Sequence, residues 1–441
     1  MDSKKHSDLR QNLLVLLIDD LRADRCLPER RRGSTPLVEY LIKNGTMFTQ
    51  AISVTSFTTP SVASILTGTY PFHHGIEWFS GNKLSTGCLT MASILKKAGY
   101  STCALVTGPL GPQLGLDIDF DYYLFRSEKK TIYKGFKKQF EDYLKKLTEP
   151  WFIFAHLWEL HYPIYLPPDL SKRGSLSFEK YDLAFSHLNQ QLMPILRTID
   201  LDKTMVVFLS DHGERLPSNL ESVQRNLSAG LKNSVNPIVW FKLTKRLFEI
   251  FPSLREKQGH GFHLYEPLVR IPLIFAGSGF PRNQIVDDQV SQVDILPTIL
   301  ENLNLSIPAN TPFHGRSLCS TMHNDEKKEQ SERCIYLGPA GIFDGLAMEQ
   351  KSGWIEGLRT PKWKYISLYN KNKAVELYSL QDDPNEIHNV VDDRTEIASG
   401  FTRKLHKIKS GKTSNSPIHA QMTPEEKQKI EERLKALGYI D

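Results

Sequence analysis

The chain has 441 residues, 40% of them hydrophobic and 24% charged, with a formal net charge of +5. That length can bury a large core and still append a subdomain, and the composition excludes a fibrous or extensively disordered chain. So small a positive charge is compatible with an anionic substrate and gives no reason to expect a nucleic-acid partner.

Met1 to Asp8 is polar, without an apolar leader ending in a small-residue cleavage site. Asn12–Ile18 is too short to span a bilayer and reads as a buried strand ending in Asp19-Asp20. In Ser56 to Gly68, Pro60 fits the first turn of a helix, where its missing N–H costs nothing. Thr58 then sits at or just before a helix N-terminus, where backbone donors favour an anion. Its hydroxyl is a weak nucleophile unless a base or a metal activates it. Met91 to Ala98 reads as a helix closed by Gly99, and Tyr100 to Thr107 as a strand. The lysines from Lys129 to Lys146 read as an exposed helix face. Trp151 to Ala155 is a third buried strand, ending at His156. Thr204 to Ser210 is another, ending in Asp211-His212-Gly213-Glu214. Leu273 to Ala276 is a further strand stopped by Gly277, and Val293 to Leu300 reads as a helix packed on the sheet.

The expected fold class is α/β: a parallel-rich mixed sheet sandwiched by helices over residues 10–315, with an insertion at 215–258. A polar linker at 316–332 leads to a smaller C-terminal antiparallel-sheet subdomain at 333–395 and a tail with a helix at 396–441. Thr423 and Glu426 form a capping box for a helix over Pro424 to Leu437. In open α/β sheets ligands gather at the carboxyl ends of strands, so Asp19, Asp20, Asp211 and His212 point to one site. Carboxylates with an imidazole suit one hard or borderline divalent ion: Mg, Ca, Mn or Zn. A second metal, from Asp182 and His187, is less favoured because both sit on a helix-like segment with a solvated face. Taken singly, the aspartate pair would be helix caps and Thr58 an N-cap.

The insertion carries Trp240, Leu243, Leu247 and Phe251 on one helical face. The plainer reading is a helix docked on its own core. The sharper one is a lid or membrane-surface helix over 238–255, with a lipid-linked substrate. Five scattered cysteines and no leader fit a reducing compartment, so a cytoplasmic location is expected, with peripheral membrane contact through that helix as an addition. Nothing in the sequence bears on oligomeric state.

Six segments, in order, resemble the sulfatase branch of the alkaline phosphatase superfamily. They are Asp19-Asp20 to Asp24; Thr58-x-Pro60-Ser61 to Gly68; His156 to Pro163; Asp211 to Glu214; Gly259 to Glu266 with Arg270 to Ile274; and Leu358 to Tyr365 with Glu376 to Glu386. The resemblance implies a metal-dependent ester-cleaving enzyme acting on an anionic ester, lipid- or glycan-linked. It implies metal ligands Asp19, Asp20, Asp211 and His212 with Thr58 beside them, catalytic His161 and His260, and substrate contacts at His74 and His263. The family's Cys-x-Pro-Ser-Arg, whose first residue (Cys or Ser) is oxidised to formylglycine, is replaced here by Thr58 and, at the arginine position, Val62. Threonine does not undergo that oxidation. The departure resembles the phosphoryl-transferring branches, with phosphodiesterases and phosphoethanolamine or phosphoglycerol transferases among them, and implies a covalent Thr58 intermediate. Sulfate ester hydrolysis without formylglycine, and a non-catalytic ligand-binding relative, are the alternatives.

Overall fold

The computed structural model describes residues 10–29, 33–78, 82–167, 170, 178–216, 259–306, 311–323, 333–341, 353–371, 373–411 and 418–437. The apolar runs become the strands of an eight-stranded sheet. They are β1 (Asn12–Ile18), β2 (Gly45–Ile52), β4 (Ser101–Val106), β5 (Tyr122–Phe125), β6 (Trp151–Leu157), β7 (Thr204–Leu209), β8 (Arg270–Gly277) and β9 (Gln284–Ser291), with β3 (Asn82–Thr86) lying outside it. Their order is β5-β4-β6-β1-β7-β8-β2-β9, and β8 alone runs against its neighbours.

Every residue of β1, β6 and β7 is buried, as expected of strands covered on both faces. Alternation along β1 divides the core in two. Leu13, Val15 and Leu17 join Val62, Ala63, Ile65 and Leu66 of helix α2 (Thr58–Thr67). Leu14, Leu16 and Ile18 join Leu37 and Leu41 of helix α1 (Pro36–Lys43), with Tyr181, Phe185 and Leu188 of the helix Phe178–Arg197. In register, Leu17 pairs with His156 on one side and Leu209 on the other, so three parallel strands end level with one another.

The smaller sheet is antiparallel throughout: β10 (Ile335–Ala340), β11 (Ile355–Arg359), β12 (Trp363–Leu368) and β13 (Lys373–Ser379). Tyr365 and Leu377 pack there against Phe401 and Leu405 of the helix Thr395–Ser410. β14 (Ile418–Gln421) returns to pair with β3. In the capping box before the helix Pro424–Leu437, Thr423 N–H donates to Glu426 Oε2 at 2.8 Å and Glu426 N–H to Thr423 Oγ1 at 3.2 Å.

The stripe of Trp240, Leu243, Leu247 and Phe251 lies outside the described residues. Among the described residues no helix is long and apolar enough to cross a membrane. All five cysteines are free. Asp182 is ion-paired with Arg25 at 2.5 Å, a structural contact on the face of its helix.

Candidate active site

Three adjacent strand ends deliver most of the site. β1 runs into Asp19 and Asp20, β7 into Asp211 and His212, and β6 carries His156 and leads on to His161. β2 feeds the fourth element, because residues 53–57 lead from its carboxyl end to Thr58, the first residue of α2. The backbone N–H groups of that first turn have no partner within the helix and aim at whatever lies before it. Gly68, in the left-handed conformation at φ 65°, closes the helix.

Asp20 also has a left-handed backbone, at φ 61°, a conformation that costs a non-glycine residue about 1–3 kcal/mol. Tyr181 holds this turn, donating its hydroxyl to Asp20 O at 2.6 Å while accepting from Arg22 N–H at 3.0 Å. The turn gives consecutive carboxylates different partners. Asp19 Oδ2 lies 2.9 Å from His156 Nε2, whereas Asp20 Oδ1 lies 3.1 Å from both His212 Nδ1 and His260 Nδ1.

Thr58 Oγ1 is fully buried, 3.2 Å from His212 Nε2 and 3.5 Å from Asp19 Oδ2. His212 Nδ1 faces two acceptors, Gly213 O at 3.0 Å and Asp20 Oδ1, so that nitrogen carries the hydrogen. Nε2 is then left toward Thr58 and toward Asp211 Oδ2 at 3.3 Å. His161 Nδ1 donates to Tyr162 O at 2.6 Å, and its ring stacks on Trp158 at 3.8 Å.

A shell of buried polar groups fixes these donors. Ser61 of α2 donates to Asp211 O at 2.7 Å, and Gln292 Nε2 donates to the same carbonyl at 2.5 Å. Gln292 Oε1 lies 2.9 and 3.0 Å from the Ser53 and Ser61 hydroxyls. Gly213 has no room for a side chain, since a Cβ would sit 2.1 Å from Pro267 O.

Burial raises the Asp19 carboxyl well above the usual range, and Asp211 and Asp20 add to the rise. Burial also opposes charge on Asp20, but His260 and His212 outweigh it and hold that carboxyl well below the usual range. Burial works against charge on His260 too, and Asp20 and Glu214 overcome it, raising the imidazole well above its ordinary value. Burial takes His161 down to about 3 and raises Glu214 to about 7.

The donor set fits a divalent cation. Asp19 Oδ1 and Asp20 Oδ2 are buried without a hydrogen-bond partner, and no described lysine or arginine is paired with either residue. Two buried triads offer converging donor atoms within 4.8 Å of one another: Asp19, Asp211 and His212, and Asp20, His161 and His260. Oxygen donors with imidazole match a hard or borderline ion.

Seven of the nine residues singled out in the sequence thus lie together: Thr58, Asp19, Asp20, Asp211, His212, His161 and His260. His74 does not join them through its described hydrogen bonds. Its Nε2 meets Ser64 Oγ at 3.0 Å and its Nδ1 accepts from Ile76 N–H at 3.2 Å, tying α2 to the turn after it. His263 stacks on Tyr265 at 4.0 Å and faces Glu376 of β13 at 3.9 Å. Sequence reasoning assigned no role to His156, Glu214 or Gln292. His156 and Glu214 were legible as strand-end polar residues, whereas nothing marks Gln292 in the sequence.

The family described as Sulfatase matches residues 11–305. The chain belongs to the sulfatase family. The C-terminal family of N-sulphoglucosamine sulphohydrolase matches residues 260–411. An N-acetylgalactosamine-6-O-sulfatase of Bacteroides thetaiotaomicron is 34% identical over 507 aligned residues, covering 91% of this chain and 93% of that protein. Arylsulfatase K of Mus musculus is 26% identical over 232 residues, covering 52% of this chain and 34% of its own length. This chain therefore spans about a third of the arylsulfatase K relatives that it matches. Among solved structures, the phosphonate monoester hydrolase of Agrobacterium radiobacter superposes with a TM-score of 0.67 at 15% identity, covering 92% of this chain and 97% of that one. That likeness shows the shared fold of sulfatases and phosphonate hydrolases.

Proposed function

We propose that this sulfatase-family chain hydrolyses esters of a tetrahedral oxyanion acid, with Thr58 as the attacking group and phosphate esters as the preferred class. The observation that carries this reading is the position of Thr58 Oγ1, 3.2 Å from His212 Nε2 at the N-terminus of α2. Asp19, Asp20, Asp211 and His212 would hold the divalent ion. Once bound, the ion lowers the pKa of a hydroxyl ligand and polarises a non-bridging ester oxygen. Thr58, its hydroxyl proton released to solvent, forms a bond to the central atom as the bond to the alcohol oxygen breaks. Backbone N–H groups at the start of α2 stabilise the charge that develops there. His260 hydrogen-bonds the oxyanion and returns a proton to the departing alcohol, with neutral His161 packed beside it at 5.1 Å between ring centroids. Water then displaces Thr58 and completes hydrolysis, and a sugar or lipid hydroxyl in its place makes the enzyme a transferase.

Phosphate is favoured because Thr58 cannot become the aldehyde that sulfatases of this type use. A second reading is hydrolysis of a sugar sulfate, supported by the N-acetylgalactosamine-6-O-sulfatase relative that spans 91% of this chain. The test is turnover of matched aryl phosphate, phosphodiester, phosphonate and sulfate esters by metal-loaded wild type and Thr58→Ala. Highest kcat/KM on a phosphorus ester, lost in Thr58→Ala, is the expected result. Highest kcat/KM on the sulfate favours the second reading. Metal-loaded protein inert on all four overturns both and leaves a ligand-binding relative.

A further inference from the structure

The C-terminal helix Pro424–Leu437 lies far along the chain from the active-site residues, yet it packs against their surroundings. Its Ile430 and Leu434 are buried in the same core cluster as Val62 of α2. Arg433 reaches beyond the helix. Its Nη1 lies 2.8 Å from Glu128 Oε2, its Nε donates to Gly108 O at 3.2 Å, and its guanidinium sits 5.2 Å from the ring of Phe125 in β5. The Gly108 and Glu128 contacts each lead to Trp158. Gly108 has a left-handed backbone at φ 67° and is pressed on the indole, since a Cβ there would overlap Trp158 Cζ3. Four residues beyond Glu128, Ile132 N–H donates to Glu159 Oε1 at 2.6 Å, while Glu159 Oε2 accepts from Trp158 N–H at 2.9 Å. The buried indole stacks on His161, with ring centroids 3.8 Å apart and planes 18° from parallel. His161 in turn lies 5.1 Å, ring to ring, from His260.

We infer that the C-terminal helix is coupled to the active site, with Arg433 and Trp158 as positioning residues that fix the plane of the His161 ring. The inference rests on the ester-hydrolase reading. A stacked ring keeps its tilt only while the surface beneath it stays in place. Here the indole is held by the Gly108 backbone on one contact and by the Glu159 clamp on another. Arg433 is the outer anchor of both. It fixes the Gly108 carbonyl with a charge-assisted hydrogen bond, and through Glu128 it ties down the segment that leads to the clamp. Releasing Arg433 lets the indole shift, and His161 then tilts in the space where the ester meets His260. Catalysis is sensitive to such movement, because a displacement of about 1 Å costs roughly 100-fold even when its origin is remote. The aspartates and His212 follow β1 and β7 instead and keep their places. The coupling travels through contiguous contacts, each of which can be cut singly.

The experiment measures kcat, KM, bound metal and melting temperature for wild type, Arg433→Ala and Lys83→Ala on the best aryl ester of the wild type. Lys83→Ala is the comparison, because Lys83 holds the same helix near its other end, through Glu426 at 3.0 Å. Assayed well below every melting temperature, Arg433→Ala should lose about 5–20-fold in kcat with bound metal unchanged, and Lys83→Ala should stay within about twofold of wild type. In a His161→Asn background, Arg433→Ala should cost less than about twofold more. If melting curves show Arg433→Ala unfolded, Arg433→Met, which keeps the apolar stem and removes the donors, is read in the same way. An unchanged kcat, an equal loss in Lys83→Ala, loss of metal, full additivity with His161→Asn, or unfolding of both Arg433 variants overturns the inference. A wild type inert on every ester instead overturns the ester-hydrolase reading itself.

Discussion

Two buried clusters of charge sit at opposite extremes of compensation. Where the subdomains meet, Arg359 grips Glu266 through two hydrogen bonds of 2.8 and 3.0 Å, and Lys364, with no exposed surface, bridges Glu266 and Glu386 at 2.8 and 2.7 Å. Two carboxylates there face two permanent cations. In the candidate active site Asp19, Asp20 and Asp211 are equally buried, but their described ionic partners are imidazoles, which are charged only when protonated. A buried charge without a partner is costly, so the two clusters hold different purposes. The first is complete and holds the small sheet to the large one. The second has the donor set of a cation site.

The largest effect should come from breaking the complete cluster. Lys364→Met leaves Glu266 and Glu386 without their shared cation and should cost about 3–5 kcal/mol in urea unfolding. A loss under about 1 kcal/mol would mean that this network does not hold the subdomains together. Acid should attack the same cluster. Burial opposes the charge on Glu266, but Arg359 and Lys364 prevail and depress its carboxyl in the folded state. Its stabilising contribution is therefore full above the unfolded value of about 4.3 and is lost as pH falls below it. Urea midpoints measured from pH 5 downward should fall less steeply in Glu266→Gln than in wild type, and identical slopes would contradict the assignment.

The second cluster should respond in the opposite sense. Asp19→Asn removes one of several adjacent buried carboxylates, so chelator-treated protein should gain roughly 1 kcal/mol while bound metal falls. Asp211→Asn should also lose metal. Unchanged stoichiometry by elemental analysis in both variants would move the metal elsewhere. The smallest change belongs to His74→Asn, which weakens the tie to Ser64 and should cost about 0.5–1.5 kcal/mol while KM stays near wild type. A KM shift larger than the stability loss explains would return His74 to the substrate site.

Much of this was legible before folding because the signals are local. Leu13 to Ile18 is an uninterrupted apolar run ended by Asp19, Met205 to Leu209 is one followed by Ser210 and Asp211, and the structure sets the two strands side by side in register. The Thr423–Glu426 box likewise needs only four residues. What failed to show depends on partners far along the chain. β2, with Gly45, Thr46, Thr49 and Gln50 among its residues, lacks a clear apolar run and yet carries the chain to Thr58. The reversed direction of β8 is set by its pairing with β7 and β2, not by its sequence. Gln292 reaches Ser53 and Ser61 across more than 200 positions and Asp211 across 81, and no spacing rule encodes those contacts.

The central claim is a covalent intermediate on Thr58. Metal-loaded wild type is mixed with its best aryl ester, quenched in acid within a turnover, digested and analysed by mass spectrometry. The account predicts that the peptide containing Thr58 gains one phosphoryl or sulfuryl group, located at residue 58, and that Thr58→Ala shows neither the adduct nor turnover above about a thousandth of wild type. An unmodified peptide during rapid turnover, together with an active Thr58→Ala variant, would contradict it.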